Sequence, residues 1–520
     1  MGAAGGESAK NTSGVARRTA CYLVVMRLTG ELVAVRPAPM APMIEANVSR
    51  MGVVYYNALK MKDPRNVLLG ANYAGSRGRG PSQLWDWKAD VLTTLSNGSM
   101  GLGTYSSHDA QWVSKENFDE FLREHMGGND AATGGGLDRI WRPSDDWNTV
   151  YAYDVDSADV VRTIGPLNHK QTSDMNHFQI LEGGVAIVNG RMTSSFRKVD
   201  LRTSKDLWVC GGDFNNFTLV DLDGTVYSVE EGRTGGLLWS GQHNLEYFGD
   251  SEYYMFDNAF HLETNDFLHK SSRPLRVQLD ETRMLANVTW AFETNVHSNI
   301  YGDADLLPTG NVLACYWPNQ LNSAMREQFD ARLVEVVPSR DQRGDDVAWE
   351  LLVKGQQCAE PPPRGCARSS GSIPEGWSMY SSERFYMAPL VHSVSLANSS
   401  TGATVCEGRV EGANATAAAR DASARPAPGS ANSSLMLEFI AIDSFKKNLP
   451  AVGYWRIERA GSGIAAHTGA FRFNAHWRPK TITVELESKD LTLENLRTEA
   501  WQLVVQDQWG YENRTIPLEC

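Results

Sequence analysis

The chain lacks the features that would place it quickly. Its 520 residues hold only seven cysteines, at 21, 210, 315, 358, 366, 406 and 520, with no Cys-x-x-Cys pair and no zinc-ligand spacing. No apolar run approaches the roughly 20 residues of a membrane-spanning helix. Long helix-forming runs are scarce. Basic residues are outnumbered, 49 Lys and Arg against 62 Asp and Glu, for a net charge of −13. That balance argues against nucleic-acid partners and against anionic membrane surfaces, both of which select basic faces. The phosphate-binding loop Gly-x-x-x-x-Gly-Lys-Ser/Thr is absent, as are Gly-x-Ser-x-Gly, His-Glu-x-x-His and a strand followed by Gly-x-Gly-x-x-Gly. Nucleotide donors, serine-elbow hydrolysis and zincin chemistry lose their usual signatures with them.

What is abundant is aromatic and glycine content: 15 Trp, 17 Tyr and 46 Gly. With few helical runs, this predicts many short strands joined by glycine turns. One stretch, Glu116 to Met126, carries Phe118, Phe121 and Leu122 at helical spacing and reads as an inserted helix. Composition divides the chain into three. Residues 20–355 alternate strand and turn. Residues 356–434 hold Pro361-Pro362-Pro363, a Ser/Gly stretch and an Ala-rich run, and read as loop and low-complexity connection, with Trp377 to Leu396 aromatic enough to be ordered. Residues 435–520 return to short strands at about ten-residue intervals, the pattern of a small β-sandwich.

The first part repeats. His108-Asp-Ala-Gln-Trp112, His177-Phe-Gln-Ile-Leu181, His243-Asn-Leu-Glu-Tyr247 and Asp303-Ala-Asp-Leu-Leu307 follow one another at spacings of 69, 66 and 60 residues. The last three run into a glycine turn and a second apolar strand. A period of this length built from two hairpins is about one four-stranded propeller blade, so residues 20–355 hold five or six. Blades close around an axis, and equivalent inner-strand positions then converge. The repeat therefore predicts that His108, His177 and His243 meet in one funnel, with Arg191 of Asn189-Gly-Arg191 nearby. Neutral imidazoles with one guanidinium suit a tetrahedral anion: Arg offers a donor fork, and a neutral His can attack as a nucleophile.

These residues also carry a resemblance. His177-Phe-Gln-Ile-Leu181 with Arg191, Leu207-Trp-Val-Cys-Gly-Gly212, Gly241-Gln-His-Asn-Leu-Glu-Tyr247 leading to Phe256-Asp-Asn258, and Gly302-Asp-Ala-Asp-Leu-Leu-Pro-Thr-Gly-Asn311 resemble the arylsulfotransferases, over residues 55 to 320. The resemblance implies an all-β, six-bladed propeller that passes a sulfuryl group from an aryl sulfate ester to a phenolic acceptor. No nucleotide donor and no cofactor or metal take part, and a histidine is sulfated in passing. It implies His243 as nucleophile, His177 and Arg191 as the pair holding the sulfuryl oxygens, and His108 as the family's earlier histidine. An insertion, Asn117 to Asp146, follows His108, and the matched motifs cover neither the connection nor the C-terminal sandwich. His297 reads as a loop residue, Asp257 and Asn258 as turn formers below the site that can also orient neighbours, and Trp85 and Trp87 as core.

Two other function classes fit the same residues. One is a propeller that binds a ligand or protein without turnover; the other is a quinone- or metal-dependent propeller enzyme with His ligands. Nine Asn-x-Ser/Thr sequons, at 11, 47, 97, 216, 287, 398, 414, 432 and 513, favour a secretory or extracellular route, whereas the N-terminal stretch shows no clear leader. In such a lumen, Cys358, Cys366, Cys406 and Cys520 are expected to pair.

Overall fold

A computed structural model describes residues 21–42, 51–73, 81–95, 108–113, 139–143, 148–155, 159–167, 174–233, 237–261, 266–318, 331–339, 345–353, 379–408, 434–486, 493–515 and 517–520. The expected helix at Glu116 to Met126 lies outside them, as do five of the nine sequons. The described chain is all-β apart from a 3-10 turn at Glu231–Arg233 and one short α-helix, Leu493–Thr498. It divides into two compact units, Met1–Arg384 and Phe385–Cys520.

The first unit is a series of antiparallel up-and-down sheets. Met51–Asp63, Asn66–Tyr73, Ser82–Asp86 and Val91–Thr94 form the first meander, with Met40–Pro42 added at its edge. The second is Gln111–Val113, Arg139–Pro143, Val150–Asp154 and Val160–Ile164; the third is Met175–Leu181, Val185–Gly190, Ser195–Asp200 and Lys205–Cys210. The fourth, His243–Tyr247, Glu252–Asp257, Arg273–Asp280 and Leu285–Ala291, is extended by Thr218–Val220, which runs parallel to its outer strand, and then by Val226–Tyr227. Asp303–Leu306, Val312–Tyr316, Ala331–Val337 and Asp346–Val353 make the fifth. A separate hairpin, Tyr22–Met26 with Leu32–Pro37, approaches the last sheet where Trp349 Nε1 donates to the Leu28 carbonyl at 2.6 Å.

The sheets stack face to face because their inner strands are buried on both sides. Leu181, Ile187, Phe196 and Trp208 of the third meander share a buried cluster with Leu245, Tyr253, Met255 and Leu275 of the fourth. Phe248, Tyr254 and Phe256 do the same with Ala304, Val312 and Tyr316 of the fifth. Ala58 and Leu68 meet Ala110, Ile140 and Tyr153 between the first and second.

In the third and fourth meanders, side chains of the preceding sheet meet backbone groups along the free edge of the first strand. Asp109 Oδ2 accepts from Phe178 N at 2.7 Å, and Gln111 Oε1 from Ile180 N at 3.2 Å. Gln179 bonds both the amide and the carbonyl of Tyr247, at 2.6 and 2.9 Å. The polar residues of the repeated motifs are therefore the stitches between sheets.

The second unit holds two four-stranded antiparallel sheets. One is ordered Thr404–Gly408, Leu390–Asn398, Leu435–Ile442, Lys480–Leu486; the other Ala465–Arg472, Val452–Arg459, Trp501–Asp507, Glu512–Arg514. Leu396, Leu437, Phe439 and Ile482 of the first share one hydrophobic core with Trp455, Ile457, Leu503 and Val505 of the second. The unit starts some fifty residues before the expected boundary at 435, because the strands at 390–398 and 404–408 complete its first sheet. Between the Ala- and Pro-rich flanks lies a strand apolar on one side only, with Val391, Val394 and Leu396 buried and His392 and Ser393 exposed. Cys406 and Cys520, 114 residues apart, are joined by a disulfide, while Cys21, Cys210 and Cys315 are free thiols. Peptide mapping without reductant is expected to recover the Cys406–Cys520 link, and reduction to cost the C-terminal unit about 2–5 kcal/mol. Two free thiols at these positions in protein purified without reductant would overturn this.

Candidate functional site

The strand His243–Tyr247 opens with an irregularity. Its register against Glu252–Asp257 slips between His243 and Glu246, and Asn244 takes a positive φ of 45°. A bulge of this kind re-aims the side chains beside it. The imidazole of His243 is only 2% exposed, and its Nδ1 lies 2.6 Å from Asn258 Oδ1 and 3.1 Å from the Gly241 carbonyl oxygen. Asn258 Nδ2 donates to the carbonyls of Ser298 and Tyr301, at 2.8 and 2.9 Å. The loop supplying those carbonyls enters its next strand through Gly302, whose φ is +105°; a Cβ there would lie 2.3 Å from the Phe256 ring. Only glycine fits both the conformation and the space.

Arg191 follows the strand Val185–Gly190. It pairs through Nη1 with Asp174 Oδ2 at 2.9 Å and donates from Nη2 to the Asn299 carbonyl at 3.2 Å. Arg191, Asp174, His108 and His243 form one electrostatic neighbourhood. Burial first, and then the Arg191 guanidinium, push the His243 imidazole far down, to about 3. Burial likewise lowers His108, against the pull of Asp174. Burial opposes the charge on Asp174, yet His108 and Arg191 hold its carboxyl below the ordinary range. At neutral pH the set is therefore two neutral imidazoles beside an ion pair.

This has a consequence for stability. A histidine titrates near 6.5 in the unfolded chain and His243 only near 3 in the folded one. Between those values the unfolded chain binds a proton that the folded protein does not, so stability falls as pH falls through the window. His243→Gln is expected to flatten this dependence, measured as the change in urea midpoint between about pH 7.5 and about pH 4.5. An unchanged difference would show that His243 titrates alike in both states.

His177 goes elsewhere. Its Nδ1 lies 3.3 Å from Asp109 Oδ2 and its Nε2 3.8 Å from Glu246 Oε1. Glu246 also pairs with Lys60, which reaches Glu383 at 3.2 Å. Burial would discharge Lys60, but Glu246 and Glu383, with Asp109 and Asp303 behind them, hold its ammonium well above the ordinary range. Of the four predicted residues, His108, Arg191 and His243 share one neighbourhood, while His177 belongs to the carboxylate cluster around Lys60. Asp109 stands between the two groups, acting on His108 as well as on His177.

Sequence reasoning passes over Asp174, Tyr301, Tyr380 and Lys60, while Asn258, expected in a turn and as a residue that orients its neighbours, bonds His243. Tyr301 packs edge-on to His243 at 6.2 Å between ring centres, and Tyr380 sits 4.7 Å from Tyr301. Burial drives the Tyr380 phenol well above its usual value. Tyr380 arrives on a segment anchored by Ser381 Oγ to Asp303 at 2.8 Å and by Arg384 to Glu335 at 2.8 Å. The aromatic run Trp377 to Leu396 was its signal, since part of the expected connection is ordered. His297 lies in the loop before Asp303, stacked on Phe267 at 3.9 Å, and Trp85 and Trp87 are buried. Among the described residues no group of three or more His, Cys, Asp or Glu is arranged to hold a metal ion, and no helix is long and apolar enough to cross a membrane.

No protein-family model matches the chain, and no curated protein does. Solved structures resemble it loosely. Dihydro-heme d1 dehydrogenase NirN is 12% identical over 62% of this chain and 51% of its own, with a TM-score of 0.28. The hydrazine synthase of Kuenenia stuttgartiensis is 10% identical over 75% and 76%, at 0.29. The Dos1 propeller is 10% identical over 89% and 91%, at 0.28. Values this low assign the chain to no family, and the site must be read from its own residues.

Proposed function

We propose that the first unit closes as a six-bladed β-propeller, that the second is a β-sandwich, and that the protein is a nucleotide-independent sulfotransferase. In this reading His243 takes a sulfuryl group from an aryl sulfate ester and passes it to a phenolic acceptor. The observation that carries it is a buried, neutral His243 lying within the electrostatic reach of Arg191. A neutral ring has the lone pair an attack on sulfur needs, and a guanidinium binds the equatorial oxygens where charge collects in a loose transition state. His108, neutral beside Asp174, can take up a proton from an incoming hydroxyl. Arg191 is the donor to the sulfuryl oxygens in this reading, and His177, in the carboxylate cluster around Lys60, is left out of it. Tyr301 and Tyr380 offer aromatic surface beside His243.

The test is release of nitrophenol from 4-nitrophenyl sulfate with a phenol as acceptor and no nucleotide. Acceptor-dependent release supports the reading; a folded protein that turns over no member of an aryl sulfate panel overturns it. A second reading, a propeller that binds without turnover, is favoured by the acidic surroundings, since Asp109, Asp174, Asp303, Glu246 and Glu383 outnumber Arg191 and Lys60. Binding of a ligand with no chemistry in that assay is its signature.

A further inference from the structure

The hydrogen bonds of Asn258 decide a property of His243 that its position alone does not. An asparagine amide has one end that only accepts and one that only donates. The donor end of Asn258 faces two carbonyl oxygens, those of Ser298 and Tyr301, at 2.8 and 2.9 Å. Turning the amide over would set its oxygen against both, so the orientation is fixed by chemistry. The Asn258 oxygen must then face His243 Nδ1, and the second group near that nitrogen, the Gly241 carbonyl, is also acceptor-only. Two acceptors on one ring nitrogen require it to carry the hydrogen. In a neutral imidazole the lone pair is then on the other nitrogen.

We infer that Asn258, held by the Ser298 and Tyr301 carbonyls, is a positioning residue that locks His243 in the Nδ1–H tautomer and presents the Nε2 lone pair as the reacting atom. The holding loop is itself rigid: Ser272 Oγ donates to the Asn258 carbonyl at 2.8 Å and accepts from Ser298 N at 2.8 Å. Asn258 and Ser272 are both 0% exposed, so water does not compete for these bonds.

The inference rests on the proposed reaction only for its chemical use. In that reaction the Nε2 lone pair forms the bond to sulfur while the sulfur–oxygen bond of the ester breaks and the aryl oxygen leaves with its electron pair. The ring keeps its Nδ1 hydrogen and becomes an imidazolium bearing the sulfuryl group, its charge shared with Asn258 Oδ1 and the Gly241 carbonyl. In the second half an acceptor hydroxyl gives its proton to a base and its oxygen bonds to sulfur. The nitrogen–sulfur bond breaks, and its electron pair returns to Nε2.

The experiment is nitrogen NMR of the full chain with ¹⁵N-labelled imidazoles at neutral pH, His243 being assigned by the signals lost in His243→Gln. The expected spectrum has a hydrogen-bearing Nδ1 and a bare Nε2 for His243. A bare Nδ1 in the wild type overturns the inference by itself, whether or not any variant folds. Asn258→Ala is expected to mix the tautomers, read as intermediate nitrogen shifts at both ring positions of His243. An Asn258→Ala protein with the wild-type His243 spectrum would assign the lock to Gly241 alone and overturn the role of Asn258. None of these readouts needs turnover, so failure of the sulfotransferase reading and failure of the tautomer lock are told apart.

Discussion

Alanine at position 243 is expected to abolish acceptor-dependent release of nitrophenol from 4-nitrophenyl sulfate, a fall of at least about 10³-fold. The size follows from what the ring would supply. A covalent route needs a lone pair at the point of attack, and losing it forces a direct transfer between donor and acceptor with no intermediate. Removing a single donor to a developing charge costs about 10²–10³ by itself; removing the nucleophile must cost more. The kinetic form is as diagnostic as the rate. Wild type should give parallel lines when donor and acceptor are varied together, and any residual rate in His243→Ala should not. Full activity in His243→Ala would remove the nucleophile while leaving the reaction class open. The substitution leaves the Asn258 amide without its ring partner but keeps its bonds to Ser298 and Tyr301, so the loop is expected to hold its form.

The second large effect is on stability. Lys60 is a buried cation drawn from the first meander, Glu246 comes from the fourth, and Glu383 from the segment that carries Tyr380. His177 and Asp109 adjoin them. The side chains of Glu246 and Glu383 are 2% and 4% exposed, so neither carboxylate can turn to water when its partner is lost. Lys60→Met keeps most of the unbranched side chain and removes the charge. Breaking one side of a buried ion pair typically costs about 3–5 kcal/mol, because the remaining charge stays desolvated. Lys60→Met is therefore expected to lower the urea midpoint of the first unit sharply and to recover as pH falls and the carboxyls protonate. A loss below about 1 kcal/mol would show that water reaches Glu246 and Glu383 in solution. The pairing also has a basic limit: the ammonium is held above its ordinary range, so its contribution is present below about pH 10.4 and is lost as pH rises through the folded value.

The strands were legible because each is a local pattern. Leu435–Ile442 is bounded as its apolar run suggests, and Met175–Leu181, His243–Tyr247 and Asp303–Leu306 begin where the repeated motif begins or within two residues of it. Period-two alternation and a glycine turn are properties of a few neighbouring residues, and nothing distant overrides them. The repeat also located the inner strands, so His243, Arg191 and His108 could be named together. The strand at 390–398 opens inside the aromatic run that marks order, but its pairing with 435–442 across an Ala-rich stretch leaves no local signal.

The destinations of the side chains were another matter. His177 and His243 hold equivalent places in the motif, yet one meets Asp109 and Glu246 and the other Asn258 and the Arg191 neighbourhood. A register slip lies beside each of them, between Met175 and His177 and between His243 and Glu246. One residue of slip turns a strand's side chains to the opposite face, and a slip leaves no mark in composition or spacing. Partners such as Asn258 for His243, Asp174 for Arg191 and Glu383 for Lys60 lie 15, 17 and more than 300 residues away. By itself the sequence determined an all-β chain, its repeating unit and a short set of reactive residues, since these depend on short-range order. Which of them lose their charge, which are paired and which nitrogen is left to react was decided only in the tertiary structure. Those properties depend on burial and on the field of groups that the fold, and not the chain order, brings within a few ångströms.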